Sequence, residues 1–252
     1  MTEKHNFYRL YSDLAWLWPM WGDVEKEYAD WCNFVVKLIN KYAKIPAKSL
    51  LDITCGGGKN VFNLRKHFEV TGIDISPVML KQAKELNPDC EFLQGDMRFF
   101  SLEKTFDAIL MDDGVSYITN RDDLKAAFTI AFQHLDPGGV LIVGPDFTTE
   151  TFIQNQTVTT PANIKISPDG VEVIFIENYY DPDPNDDVYE GTMLYLIREN
   201  GKLRIETDFH RLGLFPINVW RKTLMRAGFE INENTYPENN SNFVVFSCVK
   251  PG

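Results

Sequence analysis

The chain has 252 residues, of which 44% are hydrophobic and 24% are charged, and both fractions are ordinary for a globular protein. Asp and Glu number 36 against 25 Lys and Arg, and the net charge of -11 repels the phosphate backbone that gives most nucleic-acid binders their affinity. The four cysteines form no CxxC pair, and the chain has neither a signal-peptide core nor the roughly 20 apolar residues of a membrane span, so we expect a soluble cytoplasmic protein with free thiols.

The N-terminal part of the chain is predicted to form a lid and a helix. Residues 7–20 are rich in aromatic side chains that follow no regular period, which is compatible with a short helix, a loop or a lid over a site. From Gly22 to Lys44, apolar residues recur at spacings of three and four, which is typical of an amphipathic helix, and Pro46 follows as a stop. We expect this helix to cover one face of a sheet.

The next hundred residues alternate short apolar runs with helical patterns, as βαβ units of a parallel sheet do. Ser76 before Pro77 and Asn120 before three charged residues mark the starts of two helices. The segment Asp136-Pro-Gly-Gly139 is predicted to turn the chain into the fifth strand.

Beyond residue 150 the pattern changes to extended segments at 171–180, 189–198 and 203–212, the last two joined by a hairpin turn at 199–202. They predict an antiparallel insertion that covers a substrate, mediates dimerisation, or does both. A helix at 217–227 and strands at 229–236 and 242–249 are predicted to follow. We therefore divide the chain into a lid and helix (1–44), an α/β core (45–150), the insertion (151–215), and a C-terminal helix and strand pair (216–252).

The strongest local signal is the segment LLDITCGGGKN (residues 50–60), in which a strand runs into three glycines and then a helix. Glycines permit a tight turn and close approach of a nucleotide-type ligand to the helix N-terminus. A triphosphate loop is excluded because Asn60 follows Lys59 in place of Ser or Thr, and Ile53 stands where the first glycine belongs. A dinucleotide loop is disfavoured, since Val61 occupies the place of its third Gly or Ala.

Acidic residues follow two further strands. Asp74 lies near the end of the strand at 70–75, where its carboxylate can accept hydrogen bonds from two ribose hydroxyls. Asp96 follows the next strand, where it can accept from an adenine amino group while Met97 supplies a soft apolar contact. Either acid alone is more often a solvated strand end, but with Asp52 and the glycines they form a constellation.

In chain order, the segments LLDITCGGGKN, VTGIDIS, FLQGDM, AILMDD and LDPGGVLIV resemble the motifs of class I S-adenosylmethionine-dependent methyltransferases over residues 49–144. The resemblance implies a Rossmann-like α/β fold with a seven-stranded sheet, an N-terminal helical lid and an antiparallel β insertion. It also implies S-adenosylmethionine as cofactor, with Gly56 and Gly58 along its methionine portion, Asp52 beneath it, Asp74 at the ribose, and Asp96 and Met97 at the adenine. The other donor-site residues implied are Thr54, Cys55, Ile75, Met79 and Asp112, with Thr54 standing where the family commonly has a glycine.

Methyl transfer from a sulfonium is an in-line displacement, so an enzyme gains most by holding nucleophile, carbon and sulfur collinear. A neutral amine needs only orientation and a proton exit, whereas a hydroxyl benefits from a base. Asp113 and Tyr117 follow the fourth strand and are well placed, but the segment lacks the motifs of enzymes that methylate planar amides or cytosine carbon. Because Pro145-Asp146-Phe147 replaces the Asp-Asn pair of metal-dependent relatives, we predict no metal.

Two further segments bear on the acceptor. The N-terminal aromatics, Trp16 and Trp18 among them, suit cation–π contacts with an amine or a sulfonium, or else simply pack a helix. The segment at 207–229 resembles the tail of small-molecule N-methyltransferases that dimethylate nucleotide-linked amino sugars, which also carry an N-terminal tyrosine like Tyr11. That resemblance implies that His210 and Arg211 face the acceptor, and the alternative is that strand alternation points only one of them inward.

We therefore predict a methyltransferase that acts on a small acceptor, with an amine of an amino sugar or amino acid as the leading candidate. The predicted catalytic residues are Tyr11, Tyr117 and His210, and the predicted acceptor-binding residues are Trp16, Trp18, Asp113 and Arg211. Alternatives are O-methylation, a non-catalytic S-adenosylmethionine-binding module and, with less support, an NAD-dependent oxidoreductase. The expected partner is the small molecule alone, without nucleic acid or membrane, and the chain is expected to be a monomer or homodimer.

Overall fold

The computed structural model describes residues 8–163, 170–238 and 241–252; residues 1–7 of the predicted lid, including Phe7, lie outside this range. Two 3-10 helices, Arg9–Tyr11 and Ala15–Met20, precede the first α-helix. The helices are α1 (Glu27–Tyr42), α2 (Lys59–Leu64), α3 (Pro77–Leu86), α4 (Arg121–Gln133) and α5 (Ile217–Ala227). The strands are β1 (Ser49–Ile53), β2 (Glu69–Asp74), β3 (Glu91–Gln94), β4 (Phe106–Met111), β5 (Leu135–Val143), β6 (Gln156–Pro161), β7 (Glu172–Tyr180), β8 (Val188–Glu199), β9 (Lys202–Gly213), β10 (Glu230–Glu238) and β11 (Ser241–Val249).

Seven strands form the main sheet in the order β10-β11-β5-β4-β1-β2-β3. Strands β1 to β5 pair in parallel, and β11 and β10 add an antiparallel edge beside β5. The predicted Rossmann-like fold is confirmed. Because the strand order reverses between β1 and β4, a crevice opens at their carboxyl ends, where open α/β sheets bind ligands.

Apolar helix faces cover both sides of this sheet. Val35 and Ile39 of α1 pack with Val61 of α2 on one side, and Phe128 of α4 packs with Trp220 of α5 on the other. Full burial of each such side chain stabilises the fold by about 1.5–3 kcal/mol. The predicted starts of two helices are confirmed, since Ser76 caps α3 and Asn120 caps α4 through side-chain oxygens.

The insertion is a separate antiparallel sheet in the order β6-β7-β8-β9. Its inner face packs against the N-terminal segment, which we define as residues 8–22. Leu10, Leu17 and Met20 of that segment share an apolar cluster with Phe175 and Tyr195 of the insertion. The N-terminal segment is thereby held beside the crevice of the main sheet.

The structure differs from the prediction in three elements. The predicted helix at Gly22 begins only at Glu27, because the backbone carbonyl and carboxylate of Asp23 accept the N–H groups of the next residues in a turn, after Gly22 at φ 69°. The insertion contains a fourth strand, β6, that no pattern indicated. Strand β5 starts at Leu135 and therefore includes the predicted turn at 136–139. The pairing of β5 with β4 shifts in register there, between Phe106 and Ala108 of β4. Among the described residues, no helix is long and apolar enough to cross a membrane.

Candidate active site

A cavity of about 310 Å³ opens at the carboxyl ends of β1, β2 and β4, with the N-terminal segment along one side. The predicted residues that line it are Tyr11, Trp18, Thr54, Cys55, Gly56, Asp74, Ile75, Met97, Asp112, Asp113 and Tyr117. Tyr8, one of the N-terminal aromatics expected to close over the site, also lines it, and sequence reasoning missed five other lining residues, which are Tyr28, Lys59, Asn60, Ser76 and Gly114. The structure therefore brings most of the predicted donor and acceptor residues to one cavity.

The loop between β1 and α2 contains three residues in the left-handed region. Thr54 has φ 68°, Gly56 φ 53° and Gly58 φ 80°. A non-glycine residue there costs about 1–2 kcal/mol, which is a physical reason for glycine to be common at the position of Thr54. The Thr54 side chain also leaves no room for a side chain at position 114, since a Cβ on Gly114 would lie 2.3 Å from Thr54 Oγ1.

Two acidic residues near this loop differ in their surroundings. The Asp74 carboxylate accepts hydrogen bonds from the backbone N–H of Gly56 at 2.9 Å and of Ser76 at 2.8 Å, which ties the glycine loop to the end of β2. Asp52 is 1% exposed and does not line the cavity, and its carboxyl oxygens have no hydrogen-bond partner among the described residues. Burial, with a smaller contribution from Asp74, raises the pKa of Asp52 far above its usual range and thus favours the neutral form of this carboxyl.

Three other predicted donor-site residues do not line the cavity. Met79 is fully buried, and its Cε would lie 3.8 Å from a Cβ on Gly56, so it supports the loop from α3. Gly58 packs against α3, where a Cβ would lie 2.7 Å from Asn87 Nδ2. Asp96 accepts from Arg98 at 2.6 Å and 2.9 Å, so its carboxylate is engaged beside the lining residue Met97.

The three predicted catalytic residues are joined by hydrogen bonds. The Tyr11 and Tyr117 hydroxyls are 2.8 Å apart, and the Tyr117 hydroxyl lies 2.7 Å from His210 Nδ1. His210 Nε2 lies 2.9 Å from the Asp208 carboxylate, which sequence reasoning missed. We call these four residues the tyrosine–histidine chain.

Asp208 anchors the buried end of this chain. His210 and Asp208 are 1% and 4% exposed, and the ring of Tyr8 stacks on His210 at 4.4 Å. Burial alone opposes ionisation of Asp208, but hydrogen bonds from His210 and from the backbone N–H of Leu10 outweigh it and lower its pKa. Because the carboxylate accepts from Nε2, His210 Nδ1 is left as the acceptor for the Tyr117 hydroxyl.

A second group of polar side chains is acidic. Asp113 lines the cavity and hydrogen-bonds Asp146, while Asn60 donates to Asp112 at 2.8 Å. Although Asp113 is exposed to the cavity, the surrounding protein limits its hydration and raises its pKa. Burial, followed by the charge of Asp113, raises the pKa of Asp146 well above its usual range.

Glu177 of the insertion adds a fourth carboxyl to this acidic group, after those of Asp112, Asp113 and Asp146. It is 8% exposed, accepts a hydrogen bond from the Tyr179 hydroxyl, and has a pKa that burial raises. Its charge in turn raises the pKa of Asp146. Among the described residues, no group of three or more His, Cys, Asp or Glu side chains is arranged to hold a metal ion.

Lys59 is the only lysine or arginine among the cavity-lining residues of the described chain. It is 3% exposed, and its Nζ donates to the backbone carbonyls of Trp18 at 3.0 Å and of Trp21, with that of Gly22 at 3.5 Å. Burial lowers the pKa of Lys59 to about 7, against the opposing charges of Glu27 and Asp23. No sequence pattern distinguished Lys59 from a solvated lysine.

Two residues predicted to bind the acceptor lie away from the cavity. Trp16 is 36% exposed and lies 5.8 Å from the guanidinium of Arg204. Arg211 is exposed on the outer face of β9, because side chains alternate along a strand and its neighbour His210 points inward. The structure therefore offers no support for an acceptor contact by Trp16 or Arg211.

The chain is similar to known proteins in both sequence and structure. Residues 50–139 match the family model described as a methyltransferase domain. A dTDP-3-amino-3,6-dideoxy-alpha-D-glucopyranose N,N-dimethyltransferase of Streptomyces fradiae is 34% identical over 83% of this chain and 78% of that protein. A dTDP-3-amino-3,4,6-trideoxy-alpha-D-glucopyranose N,N-dimethyltransferase of Streptomyces venezuelae is 37% identical, over 50% of this chain and 54% of that protein. The crystal structure of Streptomyces venezuelae DesVI is 27% identical, covers 94% of this chain and 96% of its own, and superposes with a TM-score of 0.79.

Proposed function

Since the chain belongs to the S-adenosylmethionine-dependent methyltransferase family, we propose that it methylates the amine nitrogen of a nucleotide-linked amino sugar. The relatives named above act on dTDP-linked 3-amino sugars, which supports this class of acceptor. The observation that carries the proposal is the tyrosine–histidine chain, which reaches the cavity at Tyr11 beside the carboxyl of Asp113. An ammonium acceptor needs both an anionic partner and an exit for its proton.

The residues present fit S-adenosylmethionine, which supplies the methyl group from its sulfonium centre. Three left-handed residues let the backbone of the β1–α2 loop approach a ligand closely. Asp74 is held at the end of β2 by two backbone N–H groups, where its carboxylate is available to ribose hydroxyls. We assign Met97 and Ile75 to the adenine side of the cavity, and Trp18 and Cys55 to the methionine side.

The acidic group favours a cationic acceptor. A sugar amine arrives largely as an ammonium at neutral pH, and the Asp113–Asp146 pair offers it carboxyl oxygens, with Asp113 lining the cavity and Asp146 hydrogen-bonded to Asp113. Glu177 adds a further carboxyl from the insertion. We assign Asp113 to direct contact with the ammonium and Asp146 to holding Asp113 in place.

The tyrosine–histidine chain gives the ammonium proton a path away from the cavity. With Asp208 ionised, His210 Nε2 donates to it, the Tyr117 hydroxyl donates to His210 Nδ1, and the Tyr11 hydroxyl donates to Tyr117. This order leaves a lone pair of the Tyr11 oxygen to accept from the acceptor nitrogen. Proton transfer along the chain ends on His210, whose imidazolium the buried Asp208 carboxylate stabilises.

The oligomeric state belongs to the same proposal, and we favour a homodimer over a monomer. The outer face of β7 and β9 exposes large apolar side chains, among them Phe209 at 68%, Ile205 at 55% and Ile174 at 45%. A solvent-facing side of an antiparallel sheet is normally polar. Light scattering measures the mass directly, and a monomeric mass would contradict this part of the proposal.

The function is tested by incubating the protein with S-adenosylmethionine and dTDP-3-amino-3,6-dideoxyglucose, with dTDP-6-deoxyglucose as the matched hydroxyl acceptor. We expect mass spectrometry to show one or two methyl groups on the amino sugar and none on the hydroxyl sugar. Methylation of the hydroxyl sugar alone would favour O-methylation. Donor binding without turnover on the amino sugar or on a wider panel of amines would favour a non-catalytic binding module.

A further inference from the structure

Lys59 is a buried lysine that the chemistry described above does not use. It is the first residue of α2, and its ammonium lies at the carboxyl end of the second 3-10 helix, where backbone carbonyls lack helical partners. Three carbonyl oxygens, those of Trp18, Trp21 and Gly22, surround its Nζ. An ammonium has three N–H donors, so all of them are taken by the protein and none remains for a ligand.

The aromatic surroundings also favour a cation. Lys59 Nζ lies 4.3 Å from the ring centroid of Trp18 and 5.0 Å from that of Tyr28. Desolvated cation–π contacts of this kind are among the stronger ones. Lys59 therefore binds the N-terminal segment both through its backbone and through the ring of Trp18.

The ring of Trp18 lies directly against the glycine loop. A Cβ on Gly57 would lie 2.4 Å from this ring, which explains why the middle residue of Gly56-Gly57-Gly58 has no side chain although its φ is not left-handed. Trp18 and Gly56 both line the cavity. The position of the N-terminal segment thus determines the shape of the donor side.

The same segment carries Tyr11 on the acceptor side. The Tyr11 carbonyl accepts from Ser76 Oγ at 2.8 Å, two residues beyond Asp74, and the Ala15 carbonyl accepts from Gln82 at 2.7 Å. The Tyr11 hydroxyl contacts Tyr117 at 2.8 Å. One continuous stretch of chain, from Tyr11 to Gly22, thus touches the glycine loop, the β2–α3 junction and the tyrosine–histidine chain.

We propose that Lys59 is a positioning residue that fastens the N-terminal segment to the glycine loop, so that donor binding and the alignment of Tyr11 depend on one closure. The alignment of Tyr11 with an acceptor rests on the proposed function, whereas the effect of Lys59 on donor binding rests on the donor cavity alone. Its consequence is ordered binding, in which the donor holds Trp18 of the segment against the glycine loop before the acceptor meets Tyr11.

The test compares Lys59→Met with Lys81→Met, an exposed lysine on α3. We expect Lys59→Met to weaken binding of S-adenosylhomocysteine about tenfold by calorimetry, because the hydrogen bonds to three backbone carbonyls of the N-terminal segment are lost. At saturating S-adenosylmethionine we also expect kcat for the amino sugar to fall about tenfold below the wild-type value, because misplacing Tyr11 affects turnover and not only donor affinity. Lys81→Met is expected to match the wild type in both.

Limited proteolysis provides a readout that a purely structural role would not move. In the wild type, S-adenosylhomocysteine is expected to slow chymotrypsin cleavage within residues 8–22, and in Lys59→Met this protection is expected to disappear. Gly57→Ala serves as a second variant if Lys59→Met does not fold, since its methyl group displaces Trp18 while leaving Lys59 intact; we expect it to weaken donor binding and reduce protection in the same way.

The outcomes separate the two proposals. Wild-type protection and kcat in a folded Lys59→Met would overturn the role of Lys59, and the same result in Gly57→Ala would overturn the closure of the segment through Trp18; both results leave the proposed function standing. A wild type that binds S-adenosylhomocysteine with protection but methylates no amine would overturn the proposed acceptor and retain the role of Lys59 on the donor side. A wild type that does not bind S-adenosylhomocysteine would overturn both.

Discussion

Replacement of Tyr117 by Phe removes one oxygen atom that takes part in two hydrogen bonds of the tyrosine–histidine chain. The hydroxyl lies 2.8 Å from the Tyr11 hydroxyl and 2.7 Å from His210 Nδ1. The ring remains and keeps its contacts with Tyr8 at 5.2 Å and with His210 at 5.8 Å. The change therefore interrupts the proton path with little loss of packing.

The expected effects on stability and on turnover differ in size. Leaving His210 Nδ1 and the Tyr11 hydroxyl without their partner costs about 1–3 kcal/mol, which lowers Tm by roughly 2–12 °C in a chain of this size. General acid–base groups contribute about 10²–10⁴ to rates, so we expect kcat at pH 7 to fall about 100-fold. The deficit is expected to shrink as the pH approaches the pKa of the acceptor amine, because solvent then supplies the neutral nucleophile.

The assay is release of S-adenosylhomocysteine with saturating donor and amino sugar, followed from pH 6 to pH 9, with the dissociation constant of the donor measured in parallel. Tyr42→Phe is the matched control, since its hydroxyl donates to Asn234 at 2.9 Å on a part of the chain that does not line the cavity. A Tyr117→Phe variant with wild-type kcat at pH 7 would refute the proton path. So would a deficit that is equal at every pH.

Two further predictions concern the acidic group. Because the pKa of Asp146 is raised in the folded state, the folded chain keeps a proton that the unfolded chain loses above about pH 4, so stability declines as the pH rises through the folded-state pKa. Asp146→Asn is expected to flatten this decline in denaturant titrations and to stabilise the protein by about 1 kcal/mol or more at pH 7. The same variant is expected to weaken turnover. A variant that keeps the wild-type decline would contradict the assignment. Glu177→Gln is expected to raise KM for the amino sugar up to about tenfold through loss of a nearby negative charge. Its control is Glu172→Gln, at an exposed position on the outer face of the same strand, which is expected to leave KM unchanged. Equal KM values in both variants would show that Glu177 does not contribute to acceptor binding.

Much of the main sheet could be predicted because its strands are short apolar runs between well-marked helix starts. Ser76 with Pro77 and Asn120 act through local backbone hydrogen bonds, which depend on neighbouring residues alone. Strand β6 could not be predicted in the same way, because its segment QTVTTP is polar and derives its pairing from β7. The start of α1 was placed too early because the turn at Asp23 competes with the helix.

The donor side of the cavity was more predictable than the acceptor side. Donor residues follow strand ends within one contiguous stretch of sequence, whereas the acceptor side joins Tyr11, Tyr117 and His210 across some 200 residues. Asp208 had a usable signal, since residues two apart on a strand share a face and Asp208 precedes His210 by two. Glu177 carried a similar signal as the one acid on the otherwise apolar inner face of β7. Lys59 had none, because its burial depends on an N-terminal segment folded over it.

Calorimetric titration of the wild type and Asp74→Ala with S-adenosylmethionine and with NAD decides whether the cavity is an S-adenosylmethionine site built on Asp74 and the glycine loop. We expect saturable binding of S-adenosylmethionine by the wild type and no comparable binding of NAD. In a folded Asp74→Ala we expect binding of S-adenosylmethionine to be at least tenfold weaker, because two charged hydrogen bonds to ribose are lost. Tighter binding of NAD, or S-adenosylmethionine affinity that Asp74→Ala leaves unchanged, would contradict this assignment of the cavity.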